Sequence, residues 1–203
     1  MQREKVLERH KGGTRRGGRG RMISIMRQLL LLRHAKSTWD NAAMPDRDRP
    51  LNARGRRAAA VMRQAMHDLG LLPDVVLVST ARRTMETLEL LEPWDDTPLI
   101  EPMDSLYLAD PAQLTAALHG VAETVRSVLL IGHNPGMHDL ALGLAGPRSI
   151  QGGGENERAL AAGFPTGTLA EFVVTGSWRD LRESGGRLVR FLTPRMLEGA
   201  GLS

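Results

Sequence analysis

The sequence predicts a three-layer α/β/α domain built on a mixed, mostly parallel sheet, and three observations carry that prediction. Residues 29–32, 74–78 and 127–131 are short apolar runs without polar alternation, the pattern of strands buried on both faces. The first two are followed by stretches of helical apolar period, the third by Asn134-Pro135 and a further helical stretch. Each run also breaks off into Arg or His: Arg33-His34, Arg82-Arg83 and His133. In open α/β sheets the ligand site lies beyond the carboxyl ends of the strands, where these side chains would gather.

Composition narrows the class. The 203 residues suit one domain spanning 26–203, and no apolar run approaches the roughly 20 residues that a membrane helix needs. There is no cysteine, which excludes disulfides, thiolate nucleophiles and cysteine-ligated metals. A cytoplasmic protein with no membrane partner is the simplest expectation. The net charge of +4 belongs to the start of the chain: residues 1–25 hold eight of the 27 Lys/Arg and two of the 23 Asp/Glu. The rest is slightly acidic and offers no global field for nucleic acid. Residues 1–25, rich in Gly and Arg without apolar period, read as a disordered extension upstream of a start at Met22 or Met26, in preference to an RNA- or phosphate-binding arm.

After the first strand a polar loop runs from Asp40 to Pro50. A helix capped by Asn52 follows, with Ala58, Val61, Met62, Ala65 and Leu69 inward and Gly70 at its end. The second strand leads to a helix burying Met85, Leu88 and Leu91 and stopping before Pro93. Leu99-Ile100 reads as a short strand, and Pro111 opens a helix through Leu118. After the third strand, Asn134 is expected to cap and Pro135 to open a helix ending near Ala145, with His138 at the surface. Residues 147–163, with Gly152-Gly153-Gly154 and no period, read as a mobile loop. Residues 169–174 and 187–192 are strands with no helix between them and are expected to pair as an edge hairpin.

Arg33, His34, Arg83 and His133 would thus share one sheet edge. Two arginines and two imidazoles in a pocket call for a counter-ion, and a phosphoryl group fits the arginine fork. Without a carboxylate or cysteine cluster beside the imidazoles a zinc site has no support. No Gly-rich loop follows the first strand, so neither ATP nor NAD is expected as cofactor.

The motifs are also specific. Leu32-Arg33-His34-Ala35-Lys36-Ser37-Thr38-Trp39-Asp40 resembles the Arg-His-Gly signature of the histidine phosphatase superfamily, with Ala35 in the glycine position. Ser79-Thr80-Ala81-Arg82-Arg83-Thr84 is similar to the second motif, a serine followed four residues later by a phosphate-binding arginine, and Gly132-His133-Asn134-Pro135-Gly136 to the third. Asp48-Arg49-Pro50-Leu51-Asn52 and Phe164-Pro165-Thr166-Gly167-Thr168 resemble the SixA-type phosphohistidine phosphatases. The resemblance implies a phosphoglycerate mutase-like fold and a metal-independent, cofactor-free phosphatase. His34 would be the nucleophile that is transiently phosphorylated, with Arg33, Arg83 and His133 neutralising the phosphoryl oxygens and Ser37 touching them. The implied partner is a phosphorylated substrate, in the first place a phosphohistidine-carrying protein. A broad-specificity small-molecule phosphomonoesterase and an inactive phosphate-recognising module are the alternatives.

Two departures stand out. Ser105 occupies the place of the glutamate general acid of many family members, leaving Asp104 or Asp110 as substitutes. Asp40 stands where other branches carry a phosphate-binding asparagine, and an ionised carboxylate there would instead orient Arg33 or Lys36.

Overall fold

A computed structural model of the chain describes residues 26–40 and 43–199, so the expectations for residues 1–25 lie outside the described residues. The strands are β1 (Met26–Arg33), β2 (Val75–Ser79), β3 (Leu99–Met103), β4 (Ser127–Gly132), β5 (Leu169–Thr175) and β6 (Gly186–Leu192). They form one sheet in the order β3-β2-β4-β1-β5-β6. The pairs β3–β2, β2–β4 and β4–β1 are parallel, whereas β5 runs antiparallel to both β1 and β6. The expected hairpin is therefore present, with β6 on the edge.

The unbroken leucines of β1 have their explanation in this order. Leu29 and Leu31 pack with Leu77, Leu130 and Phe172 on one face, under α3 (Pro111–His119), α4 (Gly136–Ala145) and α6 (Glu155–Ala162). Leu30 and Leu32 pack with Val76, Val78 and Ile131 on the other, under α1 (Ala53–Asp68), α2 (Arg82–Glu89) and α7 (Pro194–Gly199). A central strand covered on both faces has no solvent side to spend on polar residues.

α1 begins as expected: the Asn52 side chain accepts from the Gly55 N–H at 2.8 Å. Gly70, at φ +63°, ends it, but Leu69 is exposed rather than inward. Three further expectations need correction. Residues 147–163 are not a loop but α5 (Pro147–Gly152) and α6. The short α6 buries one side chain, Leu160, too few to generate a readable period, and Glu157 accepts from the Gly154 N–H to start it. Asn134 does not cap α4; its amide donates to the Phe164 carbonyl at 3.0 Å. His138 is half-buried rather than at the surface, because Nε2–H donates to the Leu160 carbonyl and ties α4 to α6.

Candidate active site

The parallel order brings the ends of β1, β2 and β4 to one edge. A cleft of about 500 Å³ opens there, lined among others by Arg33, His34, Ser37, Asp46, Arg83 and His133. Arg33 and His34 leave β1 together and are held by backbone bonds: Arg33 N–H to Thr168 O, His34 N–H to Gly132 O, and Gly167 N–H to the carbonyls of both. Gly167 can make that bridge because its φ is +77° and a Cβ there would lie 2.9 Å from Pro194. On the other side Gly55 packs so closely on Lys36 that a Cβ would sit 2.1 Å from the Lys36 carbonyl oxygen. The loop that follows His34 is thereby pressed against the first turn of α1. Arg83 enters from the first turn of α2, and His133 from the end of β4.

His34 Nδ1 lies 2.7 Å from the Ala35 carbonyl, which can only accept. Nδ1 therefore carries the proton, and Nε2 presents a lone pair with no protein hydrogen bond among the described residues. Arg33 makes one side-chain bond, Nη1–H to Phe164 O at 2.8 Å, and its Nε is buried without a partner. A buried donor left in this way is available to an acceptor that a ligand brings into the cleft. The His34 and His133 rings are 5.1 Å apart. His133 Nδ1 accepts from Arg83 Nη2 at 3.2 Å, which leaves Nε2–H to donate to Ser79 Oγ at 2.8 Å.

Both imidazoles are neutral. Burial pushes His34 down to about 4, and Arg83 and Arg33 add to the shift against the pull of the Ala35 bond. Burial, followed by His34 and Arg83, takes His133 to about 3. Burial and the neighbouring Arg83 likewise lower Arg33 from its ordinary value. The cleft concentrates positive charge around an uncharged imidazole with a free nitrogen, which suits an anionic ligand.

The one carboxylate that lines the cleft among the described residues was not singled out from the sequence. Asp46, in a single 3-10 turn (Asp46–Asp48), accepts from Arg83 Nη2 at 3.0 Å and from Tyr107 OH at 2.7 Å, and its carbonyl accepts from Arg83 Nη1 at 2.6 Å. Burial works against its charge, but the Tyr107 and Arg83 bonds hold its pKa below the usual carboxylate value. The alternation of Asp46-Arg47-Asp48-Arg49 in the polar loop was the only sequence signal for it.

The structure brings Arg33, His34, Arg83, His133 and Ser37 together and leaves the other candidates outside. Asp104 is exposed and held by Thr80 and Arg47, whose contacts lower its pKa away from the range of an acid catalyst. Asp110 caps α3, accepting from the Gln113 N–H at 2.8 Å. Neither lines the cleft. Ser105 is exposed in a second 3-10 turn (Asp104–Leu106). Asp40 orients neither Arg33 nor Lys36; its carboxylate accepts from Thr38 within its own loop, a nearer donor. Among the described residues no group of three or more His, Cys, Asp or Glu is placed to hold a metal ion. No helix among them is long and apolar enough to cross a membrane.

Comparison with known proteins decides the family. The family model of the histidine phosphatase superfamily (branch 1) matches residues 29–103. An uncharacterized protein of Mycobacterium tuberculosis is 34% identical over 166 residues, covering 81% of this chain and all of that one. The SixA structure from Nakamurella multipartitia is 30% identical with a TM-score of 0.72, over 83% of this chain and 96% of that one. The protein histidine phosphatase SixA complexed with tungstate is 26% identical with a TM-score of 0.65, over 84% and 99%. The chain belongs to the histidine phosphatase superfamily. Within it the phosphatase falls in the SixA-type branch, with the phosphoglycerate mutase-like fold.

Proposed function

We propose that this phosphatase removes the phosphoryl group from phosphohistidine on a protein, through a phosphohistidine intermediate of its own. One observation carries the reading: the Nδ1–H bond of His34 to the Ala35 carbonyl leaves Nε2 as an open lone pair in a cleft that also holds the unpartnered Nε–H of Arg33. Nε2 attacks phosphorus in line, the bond to the leaving group breaks, and the phosphoryl group passes to His34. Water then attacks the phosphorus in line, the P–N bond to His34 breaks, and inorganic phosphate leaves with Nε2 restored. Arg33, through its orphan Nε, and Arg83 neutralise charge on the transferring oxygens; Ser37 stands at the same wall.

His133 enters this scheme differently from its sequence expectation. With the cleft free of an anion it is neutral and spends both nitrogens on Arg83 and Ser79, so it acts first by orienting Arg83. A dianion nearby favours the protonated ring and raises its pKa, at which point His133 can donate to the phosphoryl group. A SixA relative forms a complex with tungstate, an oxyanion, which supports an anionic ligand for this phosphatase.

The leaving group favours phosphohistidine. The only carboxylate lining the cleft among the described residues, Asp46, is ionised and committed to Arg83 and Tyr107, so none of them offers a protonated carboxyl there. An alkoxide leaving group needs such an acid, whereas the imidazole of a phosphoramidate is readily protonated by itself. Turnover of a phosphohistidine-bearing carrier protein, compared with sugar, nucleotide and phosphoserine substrates, tests the reading. We expect the carrier to be preferred and His34→Ala to abolish turnover while the protein remains folded. Preference for small monoesters would replace it with a broad-specificity phosphomonoesterase, and binding without turnover with a phosphate-recognising module.

A further inference from the structure

A second depression of about 500 Å³ adjoins the cleft, and the two share Lys36 and Thr166 as lining residues. Its other walls come from the first turns of two helices, with Arg54 on α1 and Arg195 on α7, and from Pro165 beside Thr166. Lys36, Arg54 and Arg195 are all exposed, and none of the three side chains makes a hydrogen bond or ion pair among the described residues. Arg57, on the same helix as Arg54, is likewise unpaired among the described residues, but four arginines of the adjoining segments are not. Arg47, Arg49, Arg56 and Arg82 each have a carboxylate partner: Asp104, Asp46, Glu86 and Glu86 respectively. Among the described residues the only acid lining the trough is Glu198, which pairs with none of the three cations.

A single phosphoryl group held at His34 satisfies Arg33 and Arg83 but leaves this trough empty. What it lacks is negative charge on the part of the substrate that lies beyond the phosphoryl group. The combined volume of cleft and trough is at the upper end of small-ligand sites. The cleft's mouth also carries the Trp39 ring, 70% exposed and stacked 3.7 Å from the Arg49 guanidinium, an aromatic surface suited to contact with another protein.

We propose that the trough between Lys36, Arg54 and Arg195 seats an acidic segment flanking the phosphorylated residue of a protein substrate. This rests on the phosphatase reading above and adds the charge of the substrate's surroundings to it. Charge complementarity at such an exposed site acts chiefly on encounter and is weakened by salt.

The test compares two phosphohistidine peptides of equal length, one with glutamates and one with glutamines beside the phosphohistidine, together with p-nitrophenyl phosphate. The wild type is expected to favour the acidic peptide in kcat/KM by roughly tenfold at low salt, with the preference shrinking in high salt. The double variant Arg54→Glu/Arg195→Glu should erase that preference and leave p-nitrophenyl phosphate turnover unchanged. Both substitutions place an acid in a helix's first turn, where the helix dipole favours it, so folding is preserved. Equal turnover of the two peptides by the wild type overturns the inference, as does a preference that survives in the double variant. A wild-type preference for fructose 1,6-bisphosphate over fructose 6-phosphate, without one for the acidic peptide, overturns it in favour of a small bisphosphate. Failure of the wild type to turn over any of these phosphates would instead remove the phosphatase reading itself.

Discussion

At the scale of single residues the proposed reaction depends on which nitrogen of each imidazole is free. His34 keeps its proton on Nδ1 through Ala35 and offers Nε2, while His133 offers neither nitrogen until an anion arrives. Because burial holds free His34 down to about 4, the neutral form that the proposed mechanism uses persists well below neutral pH. The acid limb of kcat/KM, which reports the free enzyme, should therefore fall near pH 4 rather than near the ordinary histidine value of 6.5 once substrate ionisation is allowed for. A pH profile with p-nitrophenyl phosphate checks this, and an acid limb near 6.5 would mean that His34 is not shielded from water. Asp46 acts through Arg83. Asp46→Asn keeps a Tyr107 partner but loses the charge that anchors the guanidinium. It should lower kcat/KM by about 10- to 100-fold, the scale of a displaced rather than a deleted group. Steady-state kinetics against the wild type measure it, and an effect as large as that of Arg83→Ala would make Asp46 more than an orienting group.

At the scale of elements, a helix start can either cap or catalyse with its carboxylate, and α3 shows the first use. Asp110 and Gln113 form a reciprocal capping box at its N-terminus. Asp110→Ala should therefore cost about 1 kcal/mol in denaturant unfolding and leave kcat within twofold. A large loss of kcat with unchanged stability would return Asp110 to the reaction. The same scale explains which elements the sequence disclosed. α1 and α3 announced themselves through Asn52 and Pro111, residues whose capping chemistry is local. α5 and α6 did not, since residues 147–163 carry three consecutive glycines and bury only Leu160 fully. Asn134 misled because a cap signal lost to a tertiary partner: the carbonyl of Phe164, which also receives Arg33.

At the scale of the whole molecule, gathering like charges and buried imidazoles at one edge makes stability depend on pH. His34 and His133 bind protons far less well folded than unfolded, where their value is near 6.5. Stability is fully present above about 6.5 and drains away as the pH falls through about 4 and then 3, because the unfolded chain takes up the protons. The lowered carboxyl groups of Asp46, Asp104 and Glu123 act in the same direction. Tyr107, raised by burial and by its bond to Asp46, sets the opposite edge: its contribution is lost as the pH climbs above 10. Melting temperatures should decline steadily from pH 7 to 4, and a flat curve over that range would contradict the buried neutral imidazoles. Added inorganic phosphate should raise the melting temperature by mass action.

The sequence by itself determined the layered class and the edge at which Arg33, His34, Arg83 and His133 gather. Leu29–Leu32, Val75–Val78 and Val128–Ile131 are apolar on both pleat faces, which only a covered, largely parallel sheet accommodates. Strand ends carrying Arg33, His34 and His133, with Arg83 one helical turn further, then follow from chain direction alone. The tertiary structure decided the state of those groups. The Ala35 carbonyl sets the His34 tautomer, Ser79 and Arg83 occupy His133, and Asp46 with Tyr107 fixes Arg83 across 37 and 61 residues of chain from Asp46. Protonation and orientation depend on burial and on distances between segments remote in sequence, and periodicity and capping signals report only on near neighbours.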